Sequence, residues 1–296
     1  MPPSRAIVVL GMHRNGTSLL TRGLQSMGIY LGDNFLDTRP DNPTGYWENK
    51  PIVAIHERLL KIFGLTWDSV SLITEEQWRA PEVQALRLEA GDYIRSNFTD
   101  RPVWGFKDPR TIRLLPFWSP IFSAQNVNDN YVVVIRNPMS VSASLHRRQR
   151  ISPLKSRLLW LVHMVPYLSR IARRPFVVID YDLLMDDAPG QLERIAHRLE
   201  IPATEATRSD IWNFSNHFLD LTLRHSLSGE DAFDKISHGS SLIREAYRWF
   251  HLLATDRMDP DQTGLWLALE EIRLSTELLI TSISTDEHNA ASQLCS

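Results

Sequence analysis

The chain has a single cysteine, Cys295, among its 296 residues, so it cannot form an internal disulfide. Long apolar runs are also missing. The first run, Ala6 to Leu10, has five residues, whereas a membrane-spanning helix needs about 20. The residues that precede this run are too few for a signal peptide. These absences predict a soluble protein of the cytoplasm, without a transmembrane segment.

The chain also lacks an excess of positive charge. Its net charge is −3, which argues against bulk electrostatic binding of nucleic acid. The sequence contains no internal repeats, no sustained heptads and no spacing typical of metal ligands. We therefore expect neither a coiled coil nor a metal centre. With 43% hydrophobic and 23% charged residues, the composition is that of an ordinary globular protein.

The first stretch that carries chemistry is a strand, a loop and the start of a helix. Ala6 to Leu10 is apolar and rich in β-branched residues, as in a strand buried on both faces of a parallel sheet. A loop bounded by Gly11 and Gly16 follows, and a helix is expected from Thr17. This arrangement directs backbone N–H groups and the positive end of a helix dipole to one spot, which favours a phosphate.

The loop departs from the nucleotide-binding P-loop at one informative position. Gly11 and Gly16 have the spacing of G-x-x-x-x-G-K-[ST], and Ser18 stands where a Mg²⁺-binding hydroxyl belongs. Thr17, however, replaces the lysine that reaches the β- and γ-phosphates, while Arg14 supplies a different cation. We therefore expect an anion site that is not built for ATP·Mg²⁺ hydrolysis. An ordinary strand-to-helix turn remains the alternative for this loop taken alone.

Three later apolar runs predict further strands, each ending in polar residues. Val103 to Phe106 precedes Lys107-Asp108-Pro109-Arg110, Tyr131 to Ile135 precedes Arg136-Asn137-Pro138, and Phe176 to Ile179 precedes Asp180-Tyr181-Asp182. Strands that alternate with helices predict an α/β fold, here a P-loop-like parallel sheet of four to five strands flanked by helices. Ligands bind at the carboxyl ends of such strands.

The helical pattern continues to the C-terminal end. We expect helices over 17–27, 51–63, 81–98, 154–171 with an interruption at Pro166, and 191–199, and mainly turns over 67–78. After Pro202 no strand is predicted, and 211–223, 241–254 and 265–280 have helical spacing. The expected organisation is a core over 1–202 and a helical C-terminal part over 203–296 packed on the same domain, with a loop over 226–240. The cations of His146 to Arg150 favour a solvated face, and His163 favours core packing.

Taken together, three segments resemble the sulfotransferases that use 3′-phosphoadenosine 5′-phosphosulfate (PAPS). They are Gly11 to Leu20, Gly105 to Arg110 and Arg136 to Ser144. The likeness is greatest to bacterial members that act on carbohydrate or other small hydroxylated acceptors, and it covers roughly residues 5 to 200. Its most specific element is Arg136 and Ser144, eight residues apart after a buried strand.

The resemblance implies how a donor is held. The loop Arg14, Asn15, Gly16, Thr17 and Ser18 is similar to the family's 5′-phosphosulfate loop, with Asn15 replacing a common serine. Arg136 and Ser144 match the pair that holds the 3′-phosphate, and Tyr181 is similar in place to a tyrosine that can contact the adenine. A C-terminal loop of the eukaryotic members has no evident counterpart, and Arg224, His225 and Lys235 are equal alternatives for its role.

The implied reaction is transfer of a sulfuryl group from PAPS to a hydroxyl of a carbohydrate or other small acceptor, with no metal required. Arg14 and Lys107 are the candidates for stabilising the developing charge. The histidine that the family's cytosolic branch uses as a base falls on Pro109 here. Glu48 matches the place of a catalytic glutamate in the carbohydrate branch and is the first choice of general base, followed by Asp108 and His13. The alternative roles are a solvated loop carboxylate for Glu48 and structural pairing with Arg110 or Arg14 for Asp108. A P-loop-type kinase or nucleotidase and a non-catalytic nucleotide-binding module are the alternatives. The acceptor and the oligomeric state stay open.

Overall fold

A four-stranded parallel sheet lies at the centre of the computed structural model, which describes residues 3–38, 45–202, 204–218 and 240–294. The strands are β1 Arg5–Leu10, β2 Val103–Lys107, β3 Asn128–Ile135 and β4 Phe176–Asp180, in the order β2-β1-β3-β4. The predicted α/β class and parallel sheet are confirmed. β3 begins earlier than its apolar run, at Asn128, which pairs with Arg5 of β1.

Parallel pairing brings the carboxyl ends of all four strands to one edge. Val9 pairs with Lys107, and Ile135 pairs with Asp180. Because β2 lies on one side of β1 and β3 on the other, the loops that leave β1 and its neighbours open around a crevice. The polar residues that follow the strands therefore converge at this edge.

Helices cover both faces of the sheet. They are α1 Thr17–Ser26, α2 Lys50–Ile62, α3 Glu75–Arg79, α4 Pro81–Asn97, α5 Leu115–Ala124, α6 Pro138–Gln149, α7 Pro153–Met164, α8 Tyr181–Asp186, α9 Ala188–Arg198, α10 Glu205–Asn213, α11 Ser240–Ala254 and α12 Thr263–Leu294. Within β1, Ala6 and Val8 belong to one apolar cluster, while Ile7 and Val9 belong to the cluster on the other face. β1 is thus buried on both faces, as its continuous apolar run predicts.

Two short helices are missing from the expected pattern. α3 lies partly within the stretch expected to be turns, and it is held by a capping box in which Thr74 and Gln77 each accept a hydrogen bond from the other's backbone N–H. α8 begins directly after β4, where Asp180 caps its first turn. The interruption at Pro166 is confirmed, because α7 ends at Met164 and a separate 3₁₀ turn spans Leu168–Ile171.

The C-terminal helices pack on the same core as the sheet. α11 lies against β4, and its residues Ile243, Ala246 and Phe250 belong to the apolar cluster that contains Val8 and Val133. Residues 226–239 of the expected loop, with Arg224 and His225 before them, lie outside the described residues. Across the described ranges, no helix is both long enough and apolar enough to cross a bilayer.

Candidate active site

The loop between β1 and α1 is bent by residues with left-handed backbone. Gly11 has φ +148°, Arg14 +71° and Gly16 +92°. Gly16 also lacks room for a side chain, because an added Cβ would lie 2.1 Å from Cδ2 of Tyr181. No side chain caps the first turn of α1, so its N–H groups face the crevice available to an anion.

Asn15 serves the loop itself. Its side chain is fully buried, and Nδ2 donates a hydrogen bond of 2.9 Å to the carbonyl oxygen of Val134 in β3. The Asn15 backbone N–H donates to the carbonyl oxygen of Met12 at 3.1 Å. The Asn15 side chain, at the position of the family's serine, thus anchors the loop to the sheet. Contacts to a bound anion are left to the neighbouring residues of the loop.

The structure brings the two predicted phosphate-binding stations together. Nε of Arg14 donates to Oγ of Ser144 at 3.0 Å, and Nη1 of Arg136 donates to the carbonyl oxygen of Arg14 at 3.4 Å. The guanidinium of Arg136 lies 4.3 Å from the ring centroid of Tyr181, whose ring also packs on Gly16. Residues that follow β1, β3 and β4 therefore form one continuous polar wall, which consists of Arg14, Arg136, Ser144 and Tyr181.

This wall is strongly cationic although the chain as a whole is acidic. Burial, then Arg148, then Arg136 lower the pKa of Arg14 from 12.5 to about 10. Arg14 keeps its charge at neutral pH, but it does so in a partly desolvated place beside two like charges. An anion bound here would relieve this repulsion, so the electrostatics favour phosphate or sulfate groups.

A buried ion pair stands beside the loop. Nζ of Lys107, at the end of β2, donates to Oε1 of Glu48 at 2.6 Å and to Oγ of Ser18 at 3.2 Å, and it also donates to the carbonyl oxygen of Tyr46. Burial raises the pKa of the Glu48 carboxyl, and Lys107 opposes this effect. The first-choice base and the strand-end lysine are thus in direct contact, next to the first turn of α1.

Asp108 is committed to other partners. It is fully buried; Nη2 and Nε of Arg110 donate to it at 2.7 and 2.8 Å, and Nδ1 of His56 lies 3.0 Å from Oδ2. Nε1 of Trp118 donates to Nε2 of His56 at 2.7 Å, so the His56 proton resides on Nδ1, the nitrogen nearer Asp108. Although burial alone raises it, Arg110 and His56 hold the pKa of Asp108 well below its ordinary value. These contacts favour a positioning role for Asp108 over proton abstraction.

Two further histidines near the site, His13 and His163, are neutral because burial lowers the pKa of each. The His13 ring lies 4.4 Å from that of Trp67, and burial followed by Arg110 lowers its pKa to about 3, so it is a weak base. His163 is fully buried in α7, with Nδ1 2.7 Å from the carbonyl oxygen of Leu159. The expectation that His163 serves core packing is confirmed.

One cavity of about 510 Å³ adjoins these groups. Its lining includes His13, Arg14, Thr17, Ser18, Tyr46, Glu48, Lys50, Glu57, Lys107, Arg110 and Arg148. The run His146 to Arg150 is exposed, as predicted, except at Arg148, which is half-buried and lines the cavity. Arg148 lies four residues after Ser144, one turn further on the same helix face, and this spacing was the signal available in the sequence.

Metal ligands do not gather here. Within the ranges that the structure describes, His, Cys, Asp and Glu side chains form no group of three that could hold a metal ion.

Comparison with known proteins identifies the fold. No protein-family model and no curated protein matches the chain. Among solved structures, a sulfotransferase from Mycobacterium avium is 17% identical over 88% of this chain and 78% of its own, with a TM-score of 0.51. The sulfotransferase domain of the Synechococcus PCC 7002 olefin synthase is 16% identical over 83% of this chain and 95% of its own, with a TM-score of 0.46. The chain therefore has the fold of a sulfotransferase, in agreement with the likeness seen in its sequence.

Proposed function

We propose that the chain is a PAPS-dependent sulfotransferase that acts on a hydroxyl of a carbohydrate or other small polar acceptor. One observation supports the proposal: Arg14 of the loop is hydrogen-bonded to both Arg136 and Ser144, the residues of the second proposed anion station. A donor that carries both a 3′-phosphate and a 5′-phosphosulfate needs two such stations on one sheet edge. A nucleoside triphosphate needs one station and a lysine where Thr17 stands.

The proposed donor lies along the cationic wall. The N–H groups of the first turn of α1, with Arg14, Thr17 and Ser18, receive the 5′-phosphosulfate. Arg136 and Ser144 receive the 3′-phosphate by charge-assisted hydrogen bonds. Tyr181 keeps its proposed place beside the adenosine, supported by its contacts with Gly16 and Arg136.

The proposed reaction is an in-line transfer. The acceptor oxygen forms a bond to sulfur while the bond from sulfur to the bridging oxygen breaks, and that electron pair stays on the 5′-phosphate of the leaving bisphosphate. The acceptor proton passes to Glu48. Glu48 neutralises Lys107 before the reaction; once Glu48 is protonated, the charge of Lys107 is uncompensated 3.2 Å from Ser18 in the donor loop. Its stabilisation of the leaving group therefore grows as the reaction proceeds.

Charged pairs around the cavity support a polar acceptor. Nζ of Lys50 lies 3.1 Å from Asp37, and Nη1 of Arg110, which also pairs with Asp108, lies 3.4 Å from Glu57. These groups offer both donors and acceptors of hydrogen bonds. Such a lining matches the hydroxyl groups of a sugar better than it matches a purely apolar molecule.

Calorimetry with adenosine 3′,5′-bisphosphate and with ATP·Mg²⁺ tests the proposal. We expect clear preference for the bisphosphate, and Arg136→Ala should weaken its binding because charge-assisted bonds to phosphate are lost. Preference for ATP·Mg²⁺ would overturn the proposal in favour of a kinase or nucleotidase. A turnover assay with PAPS and a panel of hydroxylated acceptors separates an enzyme from a non-catalytic module, which would bind the bisphosphate tightly and transfer nothing.

A further inference from the structure

Arg148 takes no part in the donor contacts described above, yet it belongs to the same cavity. It lies in the last turn of α6, and its Nη2 donates a hydrogen bond of 3.1 Å to the hydroxyl of Tyr46. After burial, Arg148 is the largest influence that lowers the pKa of Arg14, as expected for two guanidinium groups that face the same space. Its charge therefore acts on the donor loop.

The lining of the cavity shows which end of a donor Arg148 faces. Arg148 lines the cavity together with Thr17, Ser18, Glu48 and Lys107. Arg136 and Ser144 do not line it, although Ser144 is only one helical turn from Arg148. The cavity is thus the space beside the first turn of α1 and the proposed base, and Arg14 borders it on the side of Ser144.

Tyr46 ties Arg148 to the groups of this space. Its hydroxyl accepts from Arg148, while its backbone carbonyl accepts from Ser18 Oγ at 3.1 Å and from Lys107. Tyr46 therefore holds Arg148 of α6 and Lys107 of β2 at fixed positions next to the loop that precedes α1. This bracing lowers the entropy lost when the flexible arginine side chain binds an anion.

We propose that Arg148 is a donor-binding residue for the 5′ end of the nucleotide, where it contacts the 5′-phosphate and the sulfuryl oxygens together with Arg14. This inference rests on the proposed sulfotransferase function and adds a cation to its site. It assigns the two halves of α6 to opposite ends of one ligand, Ser144 to the 3′-phosphate and Arg148 to the 5′-phosphosulfate.

Calorimetry with three nucleotides tests this assignment without requiring an acceptor. The ligands are adenosine 3′,5′-bisphosphate, adenosine 5′-monophosphate and adenosine 3′-monophosphate. Arg148→Gln should weaken binding of the first two about tenfold, the size of one charge-assisted hydrogen bond, and leave the third unchanged. Tyr46→Phe, which removes only the hydroxyl that holds Arg148, should give a smaller loss with the same selectivity.

Arg147→Gln is the matched control, because it removes the same charge from the adjacent, exposed position of α6. Its affinities should stay within about twofold of wild type, since exposed charges are screened by salt. Equal losses in the two arginine variants, no loss in Arg148→Gln, or a loss of 3′-monophosphate binding would overturn the assignment. If wild type binds the bisphosphate normally, such a result refutes the role of Arg148 alone; if wild type prefers ATP·Mg²⁺, the sulfotransferase proposal fails as well.

Discussion

Glu48 and Asp108 are two buried carboxyl groups at one sheet edge whose surroundings drive their pKa values apart. Burial raises the pKa of Glu48 above 4.5, against the opposing effect of Lys107. The pKa of Asp108 falls well below 3.8 because Arg110 and His56 outweigh its burial. A base must be deprotonated before the reaction and must gain a proton during it, so the group with the raised pKa is the better base.

The pH dependence of turnover should therefore identify Glu48. A raised pKa means that the carboxylate is lost as pH falls through a value above 4.5, and kcat/KM should decline there. Glu48→Gln should lower turnover by about a hundredfold or more and should keep or strengthen bisphosphate binding, because the charge of Lys107 then has no carboxylate partner. Steady-state rates from pH 4 to 8, with calorimetry on both proteins, provide the measurement. Asp108 is the base instead if Glu48→Gln stays active and kcat/KM shows no acid limb down to the lowest pH measured, because the pKa of Asp108 lies well below 3.8.

For single residues, the sequence predicts the roles that depend on local spacing and leaves undecided those that depend on contacts between distant parts of the chain. Roles could be proposed for Arg136 and Ser144 because a strand end and a helix fix their spacing locally. The pairing of Asp108 with Arg110 is also local. Its contact with His56 could not be predicted, because His56 lies far along the chain in α2, where Trp118 of α5 holds it. Arg148 was hidden in a run of cations, where charge alone does not distinguish the side chain that turns inward.

Among the elements, the turn from β1 into α1 depends on Gly16 for its backbone conformation. Gly16 combines a left-handed backbone with the contact of the Tyr181 ring, so its conformation joins the loop to the start of α8. Gly64, after α2, has φ +68° but nothing within 4 Å of an added Cβ. Substituting alanine at Gly64 therefore measures backbone strain alone, whereas the same substitution at Gly16 adds the free energy of displacing Tyr181.

Gly16→Ala and Gly64→Ala form a matched pair. Gly64→Ala should reduce the free energy of unfolding by about 1 kcal/mol through backbone strain and leave bisphosphate binding unchanged. Gly16→Ala should cost about 1 to 3 kcal/mol more, because the methyl group overlaps the Tyr181 ring, and should weaken the bisphosphate at least about tenfold. Urea unfolding and calorimetry measure both effects. Equal losses of unfolding free energy and equal bisphosphate affinities in the two variants would show that the Tyr181 contact contributes to neither.

The pattern of elements was predictable wherever burial imposes a periodic sequence. All four strands appear as apolar runs because each is covered on both faces, and the long helices show their apolar stripes. α3 and α8 are too short to show such a stripe, and they depend on caps by Thr74 and Asp180. Their absence from the prediction reflects stabilisation by a few hydrogen bonds instead of a hydrophobic face.

Across the whole molecule, the C-terminal helices reach the proposed donor site through Asp180. One carboxylate oxygen of this buried residue accepts from the backbone N–H of Asp182 at 2.7 Å, which caps α8, the helix that begins with Tyr181. The other accepts from the hydroxyl of Tyr247 in α11 at 3.1 Å. The helical part that the family likeness does not cover therefore braces a residue next to the proposed adenosine position.

Tyr247→Phe and Asp180→Ala test how far this bracing extends. Tyr247→Phe removes one hydrogen bond and should lower the free energy of unfolding by about 1 kcal/mol, with bisphosphate affinity within about twofold because the α8 cap remains. Asp180→Ala removes the cap as well, so it should destabilise by about 1 to 2 kcal/mol more and weaken the bisphosphate as Tyr181 loses its fixed position. Urea unfolding and calorimetry on the full chain report both quantities. If Tyr247→Phe weakens the bisphosphate as much as Asp180→Ala does, α11 controls the donor site directly and the cap of α8 is not the link.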